Sequence, residues 1–164
     1  VRAVIIGDGE DREKVESLNR QLGLPLLVGE QKPDRKAGKI PVTYTSWIKD
    51  IERATAGLDI VALTSLNEGT PVSVIEAEAA SRAIVSTRVG GVADIMPEGK
   101  AGLLSPSGEV EPLAQNLFQL VENDELRRQM GQTGRDFVLN RFSYQALCHN
   151  MGNLYRRLLE EKKK

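Results

Sequence analysis

Sulfur, imidazole and aromatic carbon are all scarce in this chain. Cys148 is the only cysteine, so no disulfide can form within the chain, and a reducing compartment suits it. His149 is the only histidine and lies beside Cys148, on what reads as the last helix. No His/Cys/Asp grouping has metal-ligand spacing, and no Ser/His/Asp arrangement is visible; both readings speak against a metal-activated water and a serine-type nucleophile. Aromatic residues make up 4% of the chain, with a single tryptophan, Trp47. No apolar run approaches the length of a membrane span, and the sequence leads one to expect neither a span nor a signal peptide within it. A net charge of -1 argues against a dedicated nucleic-acid binder. The tail Glu160-Glu-Lys-Lys-Lys164 carries too little charge for a lipid-surface role and reads as a solvated helix end. No internal repeat or low-complexity segment stands out.

What is present is an ordinary globular composition arranged in alternating elements. The 164 residues, 40% hydrophobic and 27% charged, suit one domain with one core. The chain opens directly in a strand at Val1-Arg2, which is how a trimmed domain begins. Strands are expected at 3–6, 24–28, 42–45, 59–63, 83–86 and 101–104. Helices are expected at 10–22, 47–56 and 71–82, and over most of the chain from Val110 on. Gly23 fits the position after a helix end, Pro112 and Gly131 punctuate the C-terminal helical region, and Ser143 caps its final helix. The polar stretch from Glu30 to Lys39 reads as a surface loop. Strands separated by helices imply parallel pairing with right-handed crossovers. The fold class is therefore α/β: a Rossmann-like, doubly wound parallel sheet with helices on both faces and a helical C-terminal region. Ligands bind such sheets outside the carboxyl ends of the strands.

One segment at such an end is dense in chemistry. In Glu68-Gly-Thr-Pro-Val-Ser-Val-Ile-Glu76 two glutamates stand eight positions apart, the first after a strand and the second within a helix. Thr70 can serve as N-cap, with Pro71 at the first helical position, where a missing N–H costs nothing. Glu76 then lies one turn on from Val72 and Ser73, on their face. A helix N-terminus with free N–H groups suits a phosphate or diphosphate, and flanking carboxylates suit sugar or ribose hydroxyls. Glu78, two residues further, faces elsewhere and is expected to be solvated or ion-paired. Gly7-Asp-Gly9 can be a phosphate cradle or a plain strand-to-helix turn, and Gly90-Gly91 can be a plain loop or a place where backbone approaches a ligand. Trp47 can be core or a base-stacking platform.

The segments Ser65-Leu-Asn-Glu-Gly-Thr-Pro71, Glu76-Ala-Glu-Ala-Ala80 and Val85-Ser-Thr-Arg-Val-Gly-Gly91 resemble the nucleotide-sugar-binding half of a retaining glycosyltransferase. The resemblance is to the two-Rossmann-domain GT-B architecture, family 4 (glycosyl transferases group 1), whose Glu-x7-Glu motif Glu68 and Glu76 match. It runs from Val4 to Ser143. It implies that residues 1–164 are one donor-binding domain, lacking its first strand and the N-terminal acceptor domain. Glu76 then holds the ribose hydroxyls, and Glu68, the catalytic candidate, contacts donor-sugar hydroxyls near the reacting carbon. The N–H groups of Gly69, Thr70, Val72 and Ser73 hold sugar hydroxyls and diphosphate oxygens. Ser46, Trp47 and Ile48 line the base pocket, and Gly7, Gly9, Gly90 and Gly91 lie along the donor. The implied donor is a nucleotide diphosphate sugar, a UDP-sugar before a GDP-sugar, used without a metal or other cofactor. The implied setting is bacterial polysaccharide or lipid-linked glycan assembly, in the cytoplasm or at the inner face of the membrane. Membrane association would come only through the full-length protein.

The pattern departs from the family at two places. In the family a Gly-Arg-Leu turn and a Lys-Gly pair one strand earlier hold the diphosphate; this sequence contains neither these nor the N-terminal acceptor domain, so the isolated chain is expected to be inactive. Where the family often has Ala-Ala-Gly-Lys-Pro-Val, this chain has Ala79-Ala-Ser-Arg-Ala-Ile84. Two other readings stand beside the transferase. A phosphorylase-type or epimerase member of the same architecture is one, although no lysine near Glu68–Glu76 suits pyridoxal phosphate. A non-catalytic nucleotide-binding or interaction module of Rossmann type is the other.

Overall fold

A computed structural model of the chain describes residues 1–29 and 42–162. The loop expected over 30–39 lies outside them. The chain divides into two compact units, Val1–Ile51 and Glu52–Lys164.

The first unit contains β1 (Ala3–Ile6), α1 (Arg12–Gln21), β2 (Leu26–Val28) and β3 (Val42–Ser46). Its three strands pair in parallel in the order β1-β3-β2, with Ala3 opposite Val42 and Leu26 opposite Val42 on the other side. Gly23, at φ +65°, follows α1 as expected of a helix stop. The helical spacing of Val15, Leu18 and Leu22 does not mark a buried stripe. Leu18 and Leu22 are exposed, and Asn19 is the buried residue of α1, its amide donating to the Val15 carbonyl at 3.0 Å.

The second unit opens in α2 (Ile51–Ala56) and continues through β4 (Ile60–Leu63), α3 (Val72–Ala79), β5 (Ala83–Thr87), α4 (Val92–Ile95) and β6 (Gly102–Ser105). Three helices follow: α5 (Val110–Glu122), α6 (Asp124–Arg141) and α7 (Tyr144–Glu161). Strands β4, β5 and β6 pair in parallel in that order. All five residues of β5 are buried. Alternation along this strand feeds two cores. Ile84 packs with Val74, Ala77, Val92, Ile95, Met96 and Ala101 on one face, and Ala83 and Val85 pack with Leu120 and Met130 on the other. This sheet is therefore covered by α3 and α4 on one side and by α5 and α6 on the other, as a doubly wound unit requires.

Several boundaries differ from expectation for identifiable reasons. Trp47 and Ile48 precede α2 instead of starting it. Pro112 sits in the first turn of α5, where its missing N–H has no intrahelical partner, so it breaks nothing. Gly131 lies inside α6; a β-carbon there would run into the Ser81 carbonyl, so glycine serves close packing and not helix termination. The break between α5 and α6 falls at Asn123, whose side chain accepts from the Leu126 N–H at 2.9 Å. Ser143 caps α7 as expected, accepting from the Ala146 N–H at 3.2 Å.

Candidate functional site

The carboxyl ends of β4 and β5 and the start of α3 converge on one loop, Thr64–Pro71. Here Pro71, extended at φ -71° and ψ 110°, is the N-cap, and the helix begins at Val72. The expected assignment of Thr70 as cap is corrected by one residue. Proline has no N–H to lose, and its ring presets φ for entry into the helix. The N–H groups of Gly69, Thr70, Val72 and Ser73 meet no acceptor among the described residues. Gly69, Thr70, Val72, Ser73 and Glu76 are exposed, and Glu68 is half-buried. The loop thus presents four unused donors at a helix N-terminus, bracketed in sequence by two carboxylates.

Glu68 is held from three directions. The Ser65 hydroxyl donates to its Oε1 at 2.6 Å. The Gly91 N–H donates to the Gly69 carbonyl at 2.8 Å. Gly90, at φ +49°, lies so close to the Glu68 carbonyl that any β-carbon would run into it, and one at Gly91 would stand 2.6 Å from the Gly69 oxygen. The glycine pair is therefore needed for contact with the protein's own backbone. Behind the loop, the Thr87 hydroxyl donates to the Ser65 carbonyl at 2.5 Å and ties the ends of β4 and β5 together.

In the first unit, Gly7, Gly9 and Ser46 gather around Asp8. Its Oδ2 accepts from the Ser46 hydroxyl at 2.7 Å and from Arg12 at 3.1 Å, and its Oδ1 accepts from the Gly9 N–H at 3.0 Å. The Ser46 hydrogen bond, helped by Gly9 and Arg12, holds the Asp8 carboxyl below the usual carboxylate range. The Gly7 N–H donates to the Ser46 carbonyl at 2.9 Å, and Ser46 itself adopts a left-handed φ of 59°. Trp47 is 80% exposed, which removes the core reading for it within this chain. Among the described residues no group of three or more His, Cys, Asp or Glu side chains could hold a metal ion, and no helix is long and apolar enough to cross a membrane.

Comparison with known proteins gives the family and the fold. The family model of glycosyl transferases group 1 matches residues 1–123. The chain belongs to this family. It is 27% identical over 143 residues to the lipopolysaccharide core biosynthesis glycosyltransferase LpsE of Rhizobium meliloti, covering 87% of this chain and 38% of that protein. Its fold matches the C-terminal domain of the group 1 family protein LpcC from Francisella tularensis, with a TM-score of 0.70 at 23% identity over 87% of this chain and 70% of that one. It also matches Anabaena HepE, solved in complex with UDP, with a TM-score of 0.76 at 21% identity over 96% of this chain and 41% of that one. The fold is that of one half of a GT-B glycosyltransferase. The chain spans about two fifths of the length of the curated relatives it matches first.

In this group 1 glycosyltransferase chain, sequence reasoning named the residues whose N–H groups stand unused before α3, but not the contacts that support their loop. Ser65, Thr87 and Asp8 lie inside the quoted segments, but no role was read for them, because their hydrogen-bond partners are set by the fold. Glu78 needs correction. It is 0% exposed, and both carboxylate oxygens lack a hydrogen-bond partner. Burial alone pushes its pKa up to about 8. The signal was available: Glu78 stands four residues from buried Val74 and next to buried Ala77, on the core face of α3.

Proposed function

We propose that this chain is the donor-binding half of a retaining glycosyltransferase that uses a nucleotide diphosphate sugar, with residues 1–164 as one donor-binding domain. The observation that carries the reading is the row of unused N–H groups at Gly69, Thr70, Val72 and Ser73, set between Glu68 and Glu76. As the bond from sugar to diphosphate breaks, negative charge grows on the leaving phosphate oxygens. Prealigned N–H groups and the positive end of the α3 dipole stabilise that charge without reorganisation. Glu76, exposed on the first turns of α3, accepts from ribose hydroxyls. Glu68 accepts from a hydroxyl of the transferred sugar and places a negative charge near a carbon that becomes electron-poor. Attack on the face from which the leaving group departs retains the anomeric configuration.

In the first unit, Ser46, exposed Trp47 and Ile48 are assigned to the base. The N–H groups of Gly7 and Gly9 are already engaged, so any ligand role for these glycines is one of shape. Uridine is the favoured base, since HepE, of the same fold, is described with UDP. LpsE, a relative of lipopolysaccharide core biosynthesis, supports a role in bacterial polysaccharide or lipid-linked glycan assembly. Transfer requires an acceptor-binding partner domain, so the 164 residues by themselves bind donor and do not transfer sugar.

Ligand-observed NMR with UDP, GDP, ADP and CMP tests the reading. One nucleotide, UDP first, should bind the wild type and lose roughly tenfold in affinity in Glu76→Ala, the size expected for hydrogen bonds to a charged group. A folded chain that binds none of the four would overturn it.

A further inference from the structure

The carboxylate placed near the reacting carbon has one oxygen already engaged and one without a partner among the described residues. Oε1 of Glu68 accepts from Ser65, while Oε2 meets no donor among the described residues. A serine hydroxyl has a single proton, and here it is spent on Glu68. At 2.6 Å the contact lies in the short range of a hydroxyl–carboxylate bond. The Ser65 backbone is held in place. Its own carbonyl is clamped by the hydroxyl of Thr87, which is buried at the end of β5. The Glu68 backbone is fixed from the opposite side by Gly90 and by the Gly91–Gly69 hydrogen bond.

We propose that Ser65 is a positioning residue that engages one oxygen of Glu68 and fixes the carboxylate's orientation, so that its other oxygen faces the donor sugar. The inference rests on the donor-site reading and deepens it. A glutamate held this way keeps a fixed orientation and turns its uncommitted oxygen, Oε2, toward the sugar. Recognition of the sugar, as distinct from the nucleotide, then depends on a residue that touches neither. Thr87 belongs to the same device one step further back, since it sets where the Ser65 backbone lies.

The discriminating measurement is calorimetric binding of UDP and of UDP-glucose to the wild type, Ser65→Ala, Ser65→Thr, Glu68→Ala and the Ser65→Ala/Glu68→Ala double variant. Ser65→Ala should weaken UDP-glucose about tenfold while leaving UDP within about twofold, the scale of one charge-assisted hydrogen bond. Ser65→Thr, which keeps the hydroxyl, should restore UDP-glucose affinity. In the Glu68→Ala background, Ser65→Ala should have no further effect, because the two act as a unit. Equal losses for UDP and UDP-glucose would overturn the proposal and reduce Ser65 to a general support of the loop; so would an unchanged UDP-glucose affinity in Ser65→Ala. A wild type that binds neither ligand would remove the donor-site reading itself and the inference with it, an outcome visible before any variant is made.

Discussion

Glu76 and Glu78 stand two residues apart on α3, in opposite surroundings. Glu76 is exposed, on the turn that follows four unused N–H groups, and is free to meet a ligand. Glu78 lies beneath α6, against Gly134, where a β-carbon would come within 3.0 Å of its Cγ. No strand of this sheet brings a charge to it, since β4, β5 and β6 contain no ionisable side chain. On α6, Arg135 donates to the Ala79 carbonyl, one residue away, and leaves the Glu78 carboxyl unpaired. The difference is one of helix face. At 100° per residue, a shift of two positions carries the same side chain from water to core. A glutamate on the outer face can serve chemistry, and one on the inner face has to keep its proton.

Four substitutions test this contrast, in falling order of effect. Glu78→Leu should act most strongly. In the wild type the raised pKa makes the Glu78 contribution fully present below about pH 4.5 and lost as pH rises through about 8. Leucine is of similar volume and has no proton to keep. The variant should gain on the order of 3 kcal/mol at pH 7, and its stability should no longer decline over that window. Urea denaturation at several pH values reads both effects; a parallel decline in the variant would show that Glu78 is not the group responsible.

Gly131→Ala should cost about 2 kcal/mol, the size of a local overpacking, because its methyl group meets the Ser81 carbonyl where α6 crosses the end of α3. Lifting α6 should also let water reach Glu78 and flatten the pH dependence, while the proposed nucleotide binding at the other end of α3 should be kept. Ser81 itself holds a left-handed φ of 60°, the conformation that the more usual glycine accepts without strain. Ser81→Gly should stabilise the chain by up to about 1 kcal/mol in thermal unfolding. Smallest of all, Glu76→Ala should move stability by less than about 0.5 kcal/mol, since an exposed side chain without a partner supports nothing in the fold. A large loss there would mean that Glu76 is structural and would break the contrast.

The alternation of strands and helices was readable because period-2 and period-3.6 patterns are set by burial on either side of a sheet. Helix α4, only Val92–Ile95, is too short to show a period. The α5–α6 break was hidden by more conspicuous residues, Pro112 and Gly131, whose effects depend on position within a helix. Asn123, followed by Asp124 and Glu125, was the available sign. The row of unused N–H groups was legible because it depends on backbone and on residues contiguous in sequence. Its supports were not: Ser65 and Thr87 are 22 positions apart and meet only once β4 and β5 pair.

The close approach of Gly90 to the Glu68 carbonyl bears on how a saturation screen of this chain should be interpreted. Every replacement at Gly90 forces a β-carbon against a peptide oxygen, so the position tolerates no other residue whether or not a ligand is present. Intolerance in such a screen is usually taken as the footprint of a bound molecule. Here it would mark the place where one loop of the protein has become the mould for another.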